Sequence, residues 1–353
     1  MKLVHAVIAL LAISACTATT YAVAHPTTPA TTPVKSTCAA REFTAIDWHV
    51  SDETDAPELS RWCRAVGIPV FSVASVAETA APTLDELTVM SWNAHLAAGE
   101  LDQLVARLRS GALTNGRPVS HFVLLVQELY RRGDEVPTFD AGDRSAFAIK
   151  ARDPKSPDID DHIKSLGLSV LYVPSMRNGP ELREDRGNAI ISTEPLLDPL
   201  ALELPLARQR RVSLGAAINV QTADGVRKLQ LLDAHLEPLS SPQTLWFFKN
   251  PRAAQMRAVL SLLDTPRFTD TDNAGVVLGG DFNTVRSGAD EEAYHLARAW
   301  SKSLGNEDGR DTHMMGRLDY LFFNLQDGWS ASTHRLDERF GSDHYPVLGT
   351  FSR

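Results

Sequence analysis

The chain predicts an α/β fold, and three observations predict it. Short apolar runs alternate with amphipathic stretches from Leu87 to the C-terminus, the pattern of strands interleaved with helices. Several of those runs end or begin in small polar clusters: Gly279-Gly280-Asp281-Phe282-Asn283 after Val276-Val277-Leu278, Arg317-Leu318-Asp319-Tyr320 at the head of a run to Phe323, and Gly341-Ser342-Asp343-His344-Tyr345-Pro346-Val347 before a last one. A sheet delivers such side chains to one rim, where the sites of α/β folds lie. The composition, 43% hydrophobic and 22% charged over 353 residues, supports a large core and excludes disorder as the general state.

The elements follow in order. Residues 1–24 read as an export signal: Lys2 opens a nearly uninterrupted apolar stretch from Leu3 to Ala15 that is too short for a stable membrane span. Ile13-Ser14-Ala15-Cys16 resembles a lipobox with Cys16 as the lipidation site, whereas Ala22-Val23-Ala24 offers ordinary cleavage; both readings export the chain, to the periplasm, the outer membrane or the medium. Residues 25–37 form a Thr/Pro-rich linker, and 38–85 a small N-terminal segment expected to pack on the main domain. With Cys16 set aside, Cys38 and Cys63 form an even pair, expected to be a disulfide in an oxidising compartment; two free thiols are the alternative.

From residue 86 the pattern predicts strands at Leu87–Trp92, His121–Val126, Leu168–Val173, Asn188–Ser192, Val212–Val220, Lys228–Ala234, Gly275–Leu278, Leu318–Asn324 and Val347–Phe351. Helices are predicted at Leu101–Leu113, Pro251–Leu263 and Glu291–Trp300, and 131–165 reads as a long polar loop.

Chemistry concentrates at the strand ends. Glu128 closes an apolar run, where a carboxylate is costly unless it meets a cation or pairs with Arg131 or Arg132. Asn93 ends its strand likewise and offers an amide oxygen, or serves as a turn former. Asp281 and Asn283 straddle Phe282 and so share one side of an extended segment; an Asx-turn is the alternative. Arg186, Arg210 and Arg211 are the basic cluster nearest these motifs, suited to phosphate or to pairing with Glu181, Glu184 or Asp185. A formal charge of -9 argues against a general nucleic-acid surface but not against a local basic rim or bound cations.

Ser91-Trp92-Asn93, Val126-Gln127-Glu128, Gly187-Asn188-Ala189-Ile190-Ile191-Ser192, Ala234-His235-Leu236, Gly280-Asp281-Phe282-Asn283, Arg317-Leu318-Asp319-Tyr320 and Ser342-Asp343-His344-Tyr345-Pro346-Val347 stand in one order. Together, over residues 86–353, they resemble the endonuclease/exonuclease/phosphatase superfamily, and the His of Ala-His-Leu resembles its deoxyribonuclease and sphingomyelinase branch. The resemblance implies a four-layer α/β sandwich, two packed mixed β-sheets flanked by helices. It implies a hydrolase of phosphate esters that uses Mg²⁺ or Mn²⁺ on Asn93, Glu128 and Asp343. His235, Asp281, Asn283, Asp319 and His344 would be catalytic, with Asp319 orienting His344 and Asp281 handling the attacking water. Asn188, Arg186 and Arg211 would meet substrate. The substrate classes implied are nucleic acid, a phospholipid headgroup or an inositol phosphate; a catalytically inactive binding protein of the same fold is the competing class. Leu245-Trp246-Phe247-Phe248 is the apolar run that a sphingomyelinase would use at a membrane, and Met315-Gly316-Arg317-Leu318-Asp319 departs from the 5-phosphatase pattern.

Overall fold

The computed structural model describes residues 46–74, 80–138, 147–148, 157–179, 182–238, 251–285, 291–303, 305, 307–326 and 328–353. The export signal, the linker, Cys16, Cys38 and the Leu245–Phe248 run lie outside the described residues. The strands are β1 (Asp47–Val50), β2 (Val70–Ser72), β3 (Leu87–Asn93), β4 (His121–Arg132), β5 (Phe147–Ala148), β6 (Ser169–Asn178), β7 (Glu184–Ser192), β8 (Leu197–Glu203), β9 (Val212–Thr222), β10 (Gly225–Asp233), β11 (Asn273–Asp281), β12 (Asp319–Leu325), β13 (Ser330–Arg335) and β14 (Val347–Ser352). The helices are α1 (Ala56–Arg64), α2 (Leu101–Arg109), α3 (Ile159–Leu166), α4 (Pro251–Leu263), α5 (Pro266–Thr269) and α6 (Glu292–Trp300).

Two mixed sheets stack face to face. One has six strands in the order β1-β8-β9-β10-β11-β12; the other has eight, β13-β14-β3-β4-β7-β6-β2 with β5 joined to β6. The period of two along each strand explains the layers. In β3, Leu87 and Val89 join the core between the sheets, while Met90 and Trp92 face outward; in β4, Val123 and Leu125 point in and Phe122, Leu124 and Val126 point out. The outward face of this sheet is covered by Leu101, Leu104, Val105 and Leu108 of α2 and Ile159 of α3. The other sheet's outer face meets Met256, Val259 and Leu263 of α4 and Ala293 and Ala297 of α6. Helix, sheet, sheet, helix: the expected sandwich is the observed one.

The same alternation builds the site. Val277, Leu231 and Leu321 lie in the inter-sheet core, and two- or four-residue steps from them lead to Asp281, Asp233 and Asp319. From Val89 the same step leads to Asn93. The cleft is the polar end of the sheet-to-sheet interface.

Residues 47–72 do more than pack on the domain. β1 adds to β8 as a parallel edge strand of one sheet, and β2 adds to β6 as an antiparallel edge strand of the other. α1 between them buries Leu59, Trp62 and Cys63. Two further differences from the sequence reading stand out. β4 runs on to Arg132 through a bulge between Val126 and Leu129, and α3 lies inside the segment read as loop. The α3 signal was local: Asp158 accepts from Asp161 N–H in a capping box, and Gly167 closes the helix in the left-handed region.

Candidate active site

Strand register sets the core of the site. β11 and β12 pair antiparallel so that Asp281 lies directly opposite Asp319. Gly280, just before, has a φ of 141° and lies so near β10 that a Cβ would sit 1.9 Å from the Ala234 carbonyl oxygen, so this close approach requires glycine. His344 completes the trio: its Nδ1 lies 2.8 Å from Asp319 Oδ2, and its Nε2 3.9 Å from Asp281 Oδ2. The loop bearing His344 is fastened to β3, because Ser342 Oγ donates to the Asn93 carbonyl (2.6 Å), His344 N–H donates to Ser342 Oγ (3.0 Å) and Trp92 Nε1–H donates to the His344 carbonyl (3.3 Å). Thr312 holds the start of β12, its Oγ1 accepting the N–H groups of Leu318 and Asp319. Ser342 belongs to the Ser342–Val347 motif, whereas Thr312 carried no sequence signal.

Burial alone would depress His344, but the carboxylates of Asp319, Asp281 and Asp343 outweigh it and hold the imidazole up at about 10. Asp281 is raised as well, to about 6, by burial and by the facing Asp319. Asn93 Nδ2 donates to Asp281 Oδ2 (2.9 Å) and Asn283 N–H donates to Asp281 Oδ1 (2.8 Å), so Asp281 is held at both oxygens. Asn283, with φ 53°, also donates its side-chain amide to the Leu236 carbonyl (3.0 Å).

Glu128 sits in the β4 bulge at φ 59°, a left-handed conformation that costs an ordinary residue on the order of 1–3 kcal/mol. Its Oε2 accepts the Leu96 N–H (3.1 Å) and lies 3.7 Å from Arg186 Nη1. Arg131 and Arg132 do not take it: they pair with Asp185 and Glu184. Burial opposes the charge on Glu128, but Arg186, Arg211 and the nearby histidines outweigh burial and lower its pKa.

The second half of the cleft is basic. Arg211 is buried, lowered to about 10 by burial, and donates from Nη1 to His235 Nδ1 at 3.0 Å. A neutral imidazole that accepts at Nδ1 carries its hydrogen on Nε2. His235 Nε2 faces Asp281 Oδ2 at 3.6 Å and Glu128 Oε1 at 4.0 Å. Burial and the charges of Arg211 and Arg186 push His235 well below the usual imidazole range, so it is a neutral N–H donor. Arg210 leaves the cluster: it forms a buried pair with Glu203 at 2.6 Å and donates to the carbonyls of Pro174 and Ser175. Asn188 Nδ2 donates to the Val212 carbonyl (3.1 Å) and so ties β7 to the head of β9 across the two sheets.

Asn93, Glu128, Arg186, Arg211, His235, Asp281, Asp319, Asp343 and His344 thus stand in one chain of near contacts, and Asn188 and Asn283 buttress it. The sequence reading passed over His95, whose Nδ1 is 3.0 Å from Asp343 Oδ1, and Asp233, whose Oδ1 accepts from Gln127 Nε2 at 2.7 Å. The His313 ring lies against that of His344, tilted by 33° with centroids 4.6 Å apart. Ligand atoms of Asp281, Asp319 and His344, and those of His313, Asp343 and His344, lie within 4.8 Å of one another, so candidate metal-ligating groups are present.

No curated protein matches the chain. Solved structures similar to it include a conserved protein of unknown function from Enterococcus faecalis V583 (17% identity, 75% of this chain and 99% of that one, TM-score 0.48). Others are D. rerio TDP2 complexed with a single-strand DNA product (19%, 76% and 99%, 0.45) and sphingomyelinase C from Streptomyces griseocarneus (14%, 75% and 98%, 0.41). The profile of the Endonuclease/Exonuclease/phosphatase family matches residues 90–344, a span that begins in β3 beside Asn93 and ends on His344. The chain belongs to the Endonuclease/Exonuclease/phosphatase family.

Proposed function

We propose that this chain is a divalent-metal-dependent phosphoesterase that hydrolyses a phosphate ester, with nucleic acid, a phospholipid headgroup or an inositol phosphate as the substrate classes. The observation that carries the reading is the juxtaposition of the Asp319–His344 pair with a buried guanidinium, Arg211. Among the described residues no carboxylate lies within 4.0 Å of an Arg211 nitrogen, and Glu237 is the carboxylate whose charge acts on it most; a substrate phosphate would add a direct anionic partner.

Arg211 and Arg186 bind phosphate oxygens, and His235 donates its Nε2–H to one of them. Asp281, raised by burial and by Asp319, is a stronger base than an ordinary carboxylate and takes the proton of the attacking water. As the water oxygen bonds to phosphorus, the ester P–O bond breaks, and the leaving oxygen keeps the bonding pair and takes a proton from solvent. His344, kept cationic by Asp319, stabilises the negative charge that develops on the phosphoryl oxygens. Glu128 fits a hard cation: it is ionised, and its Oε1 makes no hydrogen bond among the described residues. Mg²⁺, or Mn²⁺ in its place, would neutralise phosphate charge there when bound.

Turnover of DNA, RNA, sphingomyelin and inositol phosphates, with Mg²⁺ and with EDTA, tests the reading. His344→Ala and Glu128→Gln are each expected to lower the rate on the active substrate by about 10²–10⁴ with the fold intact. Wild-type rates in either variant, or chelator-resistant turnover, overturn it; no turnover of any of the four classes favours a binding protein of the same fold. We place the activity outside the cytoplasm, on the strength of the Leu3–Ala15 run and the signals at Cys16 and Ala24.

A further inference from the structure

We propose that Gln209 is a positioning residue of the cleft: its amide oxygen pins one side of the Arg211 guanidinium without adding a charge, and so aims Arg211 at a substrate phosphate. The inference rests on the proposed role of Arg211 as a phosphate ligand. A guanidinium offers only hydrogens, so the facing Gln209 amide turns its oxygen toward it. In that orientation Oε1 accepts from Arg211 Nη2 at 2.5 Å and from Nε at 3.3 Å. On the other side Arg211 Nη1 donates to His235 Nδ1 at 3.0 Å. Those contacts use the Nε hydrogen and one hydrogen on each terminal nitrogen. One hydrogen remains on Nη1 and one on Nη2, and a guanidinium meets a phosphate through two such N–H groups.

Gln209 is half-buried and is presented from a fastened loop. Between β8 and β9 the Pro205 carbonyl accepts Gln255 Nε2–H (3.1 Å), the Leu206 N–H donates to Asp55 Oδ2 (2.7 Å), and the Arg211 carbonyl accepts the Leu204 N–H (3.0 Å). Arg210, between Gln209 and Arg211, turns away into its buried pair with Glu203, which leaves the two flanking side chains to meet each other. The residue type follows from the charge. A carboxylate at position 209 would hold the guanidinium as well, but would compensate its charge before any phosphate arrived. An apolar side chain there would leave the charge and lose the aim. An amide oxygen holds Arg211 and leaves it cationic. An arginine fixed beforehand also gives up less rotamer freedom when the phosphate binds.

Nitrogen NMR of the full chain and its titration with inorganic phosphate test this without turnover. In the wild type the two terminal nitrogens of Arg211 should give separate resonances, the sign of a guanidinium held from turning. Gln209→Met keeps the length and removes the acceptor; it should merge them and weaken phosphate about tenfold, the order expected when a hydrogen bond to a charged group is lost. Gln209→Glu should keep them separate and still weaken phosphate, because the carboxylate competes for the same charge. In an Arg211→Lys background, Gln209→Met should change phosphate affinity by less than about twofold, since the two residues act as one unit. Merged Arg211 resonances in the wild type, wild-type phosphate affinity in either Gln209 variant, or the full loss recurring in the Arg211→Lys background overturns the inference. A wild-type chain with separate resonances that binds no phosphate overturns the phosphate role of Arg211 and leaves its pinning by Gln209 standing.

Discussion

Asp233 lies near Asp281 with its Oδ1 bonded to Gln127, and Oδ2 has no hydrogen-bond partner among the described residues. Burial pushes it up to about 8 from an ordinary value of 3.8. Over that interval the folded chain holds a proton that the unfolded chain has released, so stability falls as pH rises. Asp233→Asn keeps the acceptor for Gln127 and removes the charge. Thermal melts from pH 4 to pH 8 should show the variant gaining on the wild type, by at most about 1.4 kcal/mol per pH unit, with the gap levelling above pH 8. A gap that stays constant over that range would falsify the assignment. His344 has the opposite chemistry but the same slope. Its raised value contributes stability that is complete below about 6.5 and is lost as pH rises through about 10.

At the scale of elements, the Gly67–Ile68 stretch before β2 meets a buried ion pair. Arg131 Nη2 meets Asp185 Oδ2 at 2.6 Å with both side chains buried, and Arg131 Nη1 donates to the Ile68 carbonyl. Asp185 also receives the Gly67 N–H and the Tyr172 hydroxyl. Arg131→Ala leaves that carboxylate buried with neutral donors alone, and urea unfolding should show a loss of about 3–5 kcal/mol, the usual cost of breaking a buried pair. A loss under 1 kcal/mol would mean that solvent reaches Asp185. The sequence reading offered Arg131 as a partner for Glu128. Strand register decided otherwise, since β4 and β7 pair Arg131 opposite Asp185. The long helices and inner strands were legible from their periodicity; α4 runs from Pro251 to Leu263 as expected. β1 and β2 were not, because each is short and takes its hydrogen bonds from a neighbour far along the chain; β8 and β13 were not either, although β9 and β14 follow them closely.

Across the described residues, the apolar layers and the candidate site draw on different groups. Apolar clusters between and outside the sheets hold the layers, and the candidate ligands sit at their polar end. Removing the ion with EDTA should therefore abolish turnover while far-ultraviolet dichroism stays unchanged, and restored Mg²⁺ should recover the rate. Unfolding on chelation would assign the ion a structural role instead. The export reading has its own test. If Cys16 is acylated, the chain partitions with membranes and Cys16→Ser releases it or blocks processing. A soluble mature chain beginning at His25 sinks the lipid anchor and leaves the hydrolase reading intact. Among the described residues no helix is long and apolar enough to cross a membrane.

The sequence by itself determined the fold class, the family and the membership of most of the cleft. Those follow from local order: apolar runs of period two and polar residues at their ends, in a fixed succession. Only the tertiary structure decided which partners those residues keep. The pairing of β11 with β12 sets Asp281 against Asp319 and raises it, and Arg211 fixes the tautomer of His235. Protonation and hydrogen-bond direction depend on atoms within a few ångströms. In this cleft those atoms come from residues far apart along the chain, which no periodicity encodes.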